Sequence, residues 1–389
     1  MPTTQIDRIQ SPRIIRIGGG VALETGEVLM QLGLSRPLIV TDQNLISLGH
    51  VATVTSVLDS AGIDWGLFDG VVEDPTDTCV DHGLVALRAG DYDCIIGLGG
   101  GSALDAAKAI SFMSVNQGHV RDFKAPTQID KCGPPLILLP TTGGTGSELT
   151  RWCVITDTEK VEKYNLSGLA CVATAALIDW RFTTTKPARI TADTAVDSLT
   201  HAIEAFVSRR AFAYTDAFAL SAMPLIAQHV RTACSDPENA TAREALMLAA
   251  SQAGMAFSNA SVALVHGMSR PIGAHFHVAH GLSNAMLLPA VTAFSVGHAP
   301  SRYAQCARVM GMAATADTDA AACDKLIDGL RRMNRDLNVP SPRANGLDHA
   351  AYHEKLPLMA DQALASGSPQ NNPRIPTAAE IIALYCEIW

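Results

Sequence analysis

The sequence predicts an α/β N-terminal domain with a parallel doubly wound sheet, followed by an all-α C-terminal domain. Three observations carry this. Short, continuous apolar runs alternate with helical stretches up to about residue 185. Two of those runs lead straight into glycine-rich turns, as strands do where they feed a following helix or loop. Beyond "TTTKPARI" the β-rich punctuation stops, and Ala- and Leu-rich segments take over. The expected domains are 1–185 and 186–389, divided beside Lys186-Pro187.

In order along the chain, "RPLIV" (36–40), "YDCIIGLG" (92–99) and "PPLILLPTT" (134–142) read as buried parallel strands, each a continuous apolar run bounded by Gly or Pro. Between the first two, "HVATVTSVLDSAG" and "CVDHGLVALRAG" carry amphipathic helical spacing and end in glycine. In the second half, "ADTAVDSLTHAIEAFVS", "TDAFALSAMPLIAQHVRTAC", "AREALMLAASQAGMAFSNASVALVHGMS" and "PSRYAQCARVMG" all have helical periods.

Composition narrows the function. The 389 residues exceed a usual single core, which agrees with two domains. Hydrophobic residues make up 48% and charged ones 17%, a globular balance. A net charge of -9 argues against nucleic acid, which needs a basic surface. No run of eighteen apolar residues predicts a membrane-spanning helix, and the N-terminus lacks a signal-peptide core. The nine cysteines are scattered, with no C-x-x-C pair, as in a protein with reduced thiols in the cytoplasm.

Two loops read as nucleotide-binding. In "IIGLGGGSALDAAKAI" a strand enters Gly99-Gly100-Gly101-Ser102, and a helix leaves bearing Asp105 and Lys108. Glycines let backbone N–H groups approach an anion, and a helix N-terminus favours negative charge, so a pyrophosphate suits this loop. The G-x-G-x-x-G fingerprint is absent. "LLPTTGGTGSELT" follows another strand with the hydroxyls of Thr141, Thr142, Thr145 and Ser147. Asp42, after "RPLIV", is placed to accept both ribose hydroxyls and repel a 2′-phosphate, which favours NAD over NADP; capping of the next helix is the competing reading.

A metal constellation lies downstream. "AVDSLTHAIEAF" sets Asp197 and His201 four apart on one helical face, with Glu204 nearly on it. "VALVHGMSRPIGAHFHVAHG" holds four of the chain's 12 histidines: His266, His275, His277 and His280. If the segment stays helical past Pro271, His266 and His280, fourteen residues apart, share a face. His277 competes with His280, spacing does not choose between them, and His275 should point elsewhere. One Asp with His ligands and no thiolate suits Fe2+ or Zn2+.

With "GGGSALDAAK", "LPTTGGTGSE", "DSLTHAIEAF" and "VHGMSRPIGAHFHVAHGLSNAMLLP" on the page, the chain resembles the iron-containing (group III) alcohol dehydrogenases over nearly its full length. The resemblance implies the dehydroquinate synthase-like architecture, a dinucleotide domain, and a helical domain with a metal in the cleft between them. Its ligand pattern falls on Asp197, His201, His266 and His280, which decides against His277. Its cofactor contacts fall on Asp42, Asp74, Gly99, Gly100, Gly101, Ser102, Asp105, Thr141, Thr142, Thr145 and Lys163. It also implies a homodimer.

Three departures bear on the substrate. Arg270 stands where several members carry a histidine that is a candidate for relaying the alcohol proton; an arginine, charged throughout the physiological pH range, is a poor shuttle but a good oxyanion anchor. Trp152 replaces a smaller polar residue, and Ala195 replaces a glycine. Arg270 and His277 are the candidate catalytic residues, His277 (or His275) as a proton path to solvent. The expected activity is NAD(H)-linked, Fe2+- or Zn2+-dependent interconversion of a small alcohol and aldehyde, including one with an anionic group. The alternatives are a hydroxyacid–oxoacid transhydrogenase that retains its NAD, a dehydroquinate-synthase-type lyase, and a metal-stabilised interaction protein.

Overall fold

The apolar runs become strands whose side chains divide between two faces. The computed structural model describes residues 7–160 and 162–389, and the chain separates into two compact units, Met1–Lys186 and Pro187–Trp389.

The first unit contains β1 (Ile14–Ile17), β2 (Pro37–Val40), β3 (Gly66–Phe68), β4 (Cys94–Gly99), β5 (Leu136–Pro140), β6 (Trp152–Asp157), β7 (Glu162–Ser167) and β8 (Ala175–Ile178). Its helices are α1 (Thr25–Leu32), α2 (Gln43–Ser47), α3 (His50–Ser60), α4 (Asp77–Arg88) and α5 (Gly101–Met113). Six strands form one parallel sheet in the order β1-β8-β5-β4-β2-β3. The period of two sends Leu38, Val40, Ile95, Leu136 and Leu138 into one apolar cluster, with residues of α4 and α5. Ile39, Ile96, Leu98, Ile137 and Leu139 enter a second cluster, with residues of α1 and α3. Helices on both faces make the sheet doubly wound, which is why β2, β4 and β5 are apolar at every position.

Three neighbouring strands matter for the site. β2, β4 and β5 lie side by side in parallel, so Thr41-Asp42, Gly99–Ser102 and Thr141–Ser147 leave the same carboxyl edge of the sheet. In open α/β sheets that edge is where nucleotides bind. The antiparallel hairpin β6–β7 follows the threonine loop directly.

The second unit is helical among its described residues: α6 (Ala188–Val207), α7 (Ala213–Ser235), α8 (Ala240–Ala260), α9 (Leu264–Phe276), α10 (His280–Ser295), α11 (Pro300–Val309), α12 (Asp319–Asp336), α13 (His349–Ala365) and α14 (Ala378–Glu387), with short 3-10 turns. Buried alanines such as Ala202, Ala205, Ala219, Ala222, Ala249 and Ala253 let α6, α7 and α8 pack closely around one core. No single described helix is long and apolar enough to cross a membrane.

One expectation is corrected here. The segment from His266 to His280 is not one helix: α9 stops at Phe276, and His277 takes a left-handed conformation at φ 54°. Val278 and Ala279 are non-helical, and His280 opens a new helix. His266 and His280 are therefore brought together by a chain reversal, not by a shared face.

Candidate metal centre and dinucleotide loops

The candidate metal ligands come from three helices of the second unit. Asp197 and His201 lie one turn apart on α6, both buried. His266 sits in the first turn of α9 and His280 in the first turn of α10. The start of α10 is held against α6 backbone to backbone: a Cβ on Gly281 would lie 2.4 Å from the Asp193 carbonyl oxygen. That contact sets His280 beside Asp197.

Ligand atoms of Asp197, His201 and His266 lie within 4.8 Å of one another. Asp197 Oδ1 is 3.5 Å from His266 Nε2 and 3.6 Å from His280 Nε2. A tetrahedral ion with bonds of about 2.1 Å holds its ligands roughly 3.4 Å apart, so these spacings are those of a coordination shell. His201 Nδ1 is buried without a hydrogen-bond partner, a cost a metal site removes if the ring is turned to bind. The His201 ring is clamped between Phe257 at 4.1 Å and His266 at 4.3 Å between centroids.

Glu204, named in the sequence only for its position on the helix, turns out to organise His266. Its carboxylate accepts from Ala263 N at 2.9 Å and Val265 N at 2.6 Å, and pairs with His266 Nδ1 at 2.6 Å. It thus caps the start of α9 and commits Nδ1, leaving Nε2 to face Asp197. Asn284, one turn after His280, donates Nδ2 to Asp197 Oδ1 at 2.6 Å and lies 3.2 Å from both His266 Nε2 and His280 Nε2. The one signal for Asn284 was its position, a polar residue one helical turn after His280.

Charges in the cluster are unequal. Burial pushes the Asp197 carboxyl up, but His201, His280 and His266 outweigh it and hold it well below the usual range. Burial drives His201 down to about 3 against the pull of Asp197. Burial also opposes a proton on His266, yet Glu204 and Asp197 overcome it and the net shift is upward. An ionised Asp197 and a neutral His201 are the forms a divalent cation requires.

The remaining histidines go elsewhere. His275 pairs with Gln362 Oε1 at 2.8 Å. His277 is exposed at the end of α9. Arg270 is half-buried on α9 and donates Nη1 to Ser368 Oγ at 3.0 Å.

In the first unit, the two loops meet. Gly100 precedes α5 without a side-chain cap, leaving first-turn N–H groups, Ser102 among them, unclaimed by one. A Cβ on Gly101 would lie 2.8 Å from Thr145 Cγ2, one on Gly100 3.4 Å from Thr142 Cγ2, and one on Gly99 2.5 Å from Ala103 Cβ. Side chains there would fill the cradle, and the buried Oγ1 atoms of Thr41 and Thr141 lack partners. These features fit a dinucleotide diphosphate.

Asp105 is tied to the threonine loop and the hairpin: Ser147 Oγ donates to one oxygen at 2.7 Å and Val154 N to the other at 2.9 Å. Beside it, fully buried Lys108 donates to Ser147 O at 2.7 Å, Ser147 Oγ at 2.8 Å, Thr150 Oγ1 at 3.1 Å and Trp152 O at 2.7 Å. This pair fixes the threonine loop. Asp42 caps α2, accepting from Asn44 N at 2.9 Å and Leu45 N at 3.2 Å through one oxygen. Exposed Asp74 pairs with Lys163 at 2.7 Å, so two predicted cofactor contacts meet as an ion pair.

Comparison with known proteins agrees. The family description "Iron-containing alcohol dehydrogenase" matches residues 12–180, and "Fe-containing alcohol dehydrogenase family, C-terminal" matches 191–389. The chain is 35% identical over 365 residues to a NAD-dependent methanol dehydrogenase of Bacillus methanolicus, covering 94% of this chain and 95% of that one. It is 36% identical to a lactaldehyde reductase of Escherichia coli (strain K12), covering 95% and 96%. A crystal structure of 1,3-propanediol oxidoreductase superposes with a TM-score of 0.95 at 34% identity, covering 99% and 100%. The chain belongs to the iron-containing alcohol dehydrogenase family: it is an alcohol dehydrogenase whose cofactors are NAD(H) and iron.

Proposed function

We propose that the protein interconverts a small alcohol and its aldehyde with NAD(H), using a divalent iron held by Asp197, His201, His266 and His280. The carrying observation is the spacing of 3.5 and 3.6 Å from Asp197 Oδ1 to the Nε2 atoms of His266 and His280. Bound there, the ion supplies Lewis-acid polarisation of the substrate oxygen. The chain's part is orientation: Glu204 fixes the His266 tautomer, Asn284 holds Asp197, and Phe257 holds the His201 ring. Residues 1–185 take the dinucleotide, with the diphosphate on Gly99–Ser102, Thr141, Thr142 and Thr145, and the adenosine ribose on the Asp42 oxygen not used in capping. Asp74 and Lys163 line the same cofactor. Residues 186–389 hold the ion and substrate. His277, exposed where α9 ends, carries the proton to solvent.

The relatives support the substrate class, since they are dehydrogenases or reductases of methanol, lactaldehyde and 1,3-propanediol by name. We also read the protein as a cytoplasmic homodimer; its nine free cysteines support a reducing compartment. The test is NADH oxidation by anaerobically Fe2+-loaded protein with short aldehydes. Activity abolished by chelation and in a folded His266→Ala variant is expected. Equal activity in the chelated protein would reject the metal assignment.

A further inference from the structure

The second unit carries a half-buried cation that the proposed reaction does not use. Arg270 lies four residues after His266 on α9, so the two side chains leave the same face of the helix. Of its five N–H donors, the one with a partner among the described residues goes to Ser368 Oγ at 3.0 Å. No carboxylate of the described residues lies within 4.0 Å of the guanidinium. Glu204, the acid whose charge reaches it, is already committed to Ala263, Val265 and His266.

A guanidinium half-withdrawn from water, without a counter-ion, is costly unless an anion completes it. Its planar fork matches a carboxylate in two parallel hydrogen bonds. The alternative of a packing role is weak, because one hydroxyl satisfies a single donor and an apolar residue would pack without the charge.

We propose that Arg270 is a specificity-determining residue that binds the carboxylate of a short aldehyde bearing an acid at its far end. The substrate pair is then an ω-oxo acid and its ω-hydroxy acid. This rests on the alcohol dehydrogenase reading of the same site: the carbonyl carbon gains hydride from NADH, and its oxygen gains a proton. Arg270 touches only the carboxylate. The reaction supplying such a substrate is one that leaves an aldehyde at one end of a short acid, such as transamination of an ω-amino acid, in which a 2-oxo acid accepts the amino group and is itself reduced to an amino acid.

The experiment compares kcat/KM for succinic semialdehyde and its neutral methyl ester with NADH, in wild type, Arg270→Gln and Arg270→Lys. In parallel, calorimetry compares butyrate with butyramide on metal-loaded protein without turnover. A charge-assisted pair predicts a ratio favouring the acid by about 10- to 100-fold. That ratio should fall to near one in Arg270→Gln and recover partly in Arg270→Lys, with KM for NADH unchanged. A wild-type ratio near one alongside brisk activity on the ester overturns the inference and leaves the dehydrogenase reading standing. A raised KM for NADH in Arg270→Gln with the ratio intact also overturns it, by making Arg270 a cofactor residue. If neither aldehyde is reduced, the dehydrogenase reading fails by itself. The carboxylate site is then decided by calorimetry, where butyrate must outbind butyramide in wild type and not in Arg270→Gln.

Discussion

Glu204→Gln tests whether His266 is positioned by its carboxylate. In the protein, Oε2 accepts from Ala263 N and pairs with His266 Nδ1, while Oε1 accepts from Val265 N. Glutamine keeps one acceptor and turns an NH2 toward the third donor. One charge-assisted bond, of roughly 1.5–3 kcal/mol, is lost, and the other two weaken by about 1 kcal/mol each as the charge disappears. The sum is roughly 3.5–5 kcal/mol. The orientation of His266 should cost a further 10- to 100-fold in metal affinity. Urea unfolding of chelated protein isolates the first effect, and competition for Co2+ against a chromophoric chelator reads the second. A variant that loses stability but binds Co2+ within twofold of wild type would refute the positioning role and leave Glu204 as a cap of α9.

Three further outcomes are expected. His201, held down to about 3 by burial, keeps the folded chain from binding a proton that the unfolded chain takes up near 6.5; stability of the chelated protein is therefore lost as pH falls through that window, by up to ~5 kcal/mol. Because the shift on His266 is upward, its contribution has the opposite sign and is lost as pH rises, so His201→Gln should flatten the acid limb of a pH series of melting curves; an unchanged limb disproves the assignment. Lys108→Met strands the carbonyl oxygens of Ser147 and Trp152 and should cost at least ~3 kcal/mol in urea titration, with NADH binding weakened in proportion to the disorder of the threonine loop. Gly101→Ala drives a Cβ into Thr145, so NADH dissociation measured by fluorescence should rise by about tenfold while the Co2+ affinity is unmoved; tight NADH binding in this variant would remove the loop from the cofactor site.

What the sequence made legible follows from which signals are local. Continuous apolar runs marked β2, β4 and β5 because both faces of those strands are buried. The edge strands β1 and β3 gave no such run because they are short: Arg16 interrupts the four residues of β1, and β3 is only three residues long. In the hairpin, β6 alternates in burial, yet the run "WCVI" shows no alternation in polarity, and "EKYNLS" is mostly polar, so neither strand stood out. Among site residues, glycines and the helical i, i+4 pair were readable at once. Lys108, Glu204 and Asn284 were not assigned these roles, because their partners lie 39, 62 and 87 residues away in sequence.

The break between α9 and α10 shows why spacing alone left the choice between His277 and His280 open. A continuous helix would favour any histidine near a multiple of 3.6 residues from His266, and both qualify loosely. The reversal at His277 removes that rule: it spends one histidine on the left-handed turn and hands the other to the first residue of a new helix. Gly281 then decides the outcome, because only a residue without Cβ lets α10 start on the α6 backbone beside Asp197. The sequence pair His280-Gly281 is thus the proposed fourth ligand and its means of approach. Gly281→Ala should push His280 away while leaving Asp197, His201 and His266 in place. Co2+ binding to that variant should shift from the spectrum of four protein ligands towards that of three and weaken. Retention of the wild-type spectrum would mean that the close approach to α6 does not set the fourth ligand.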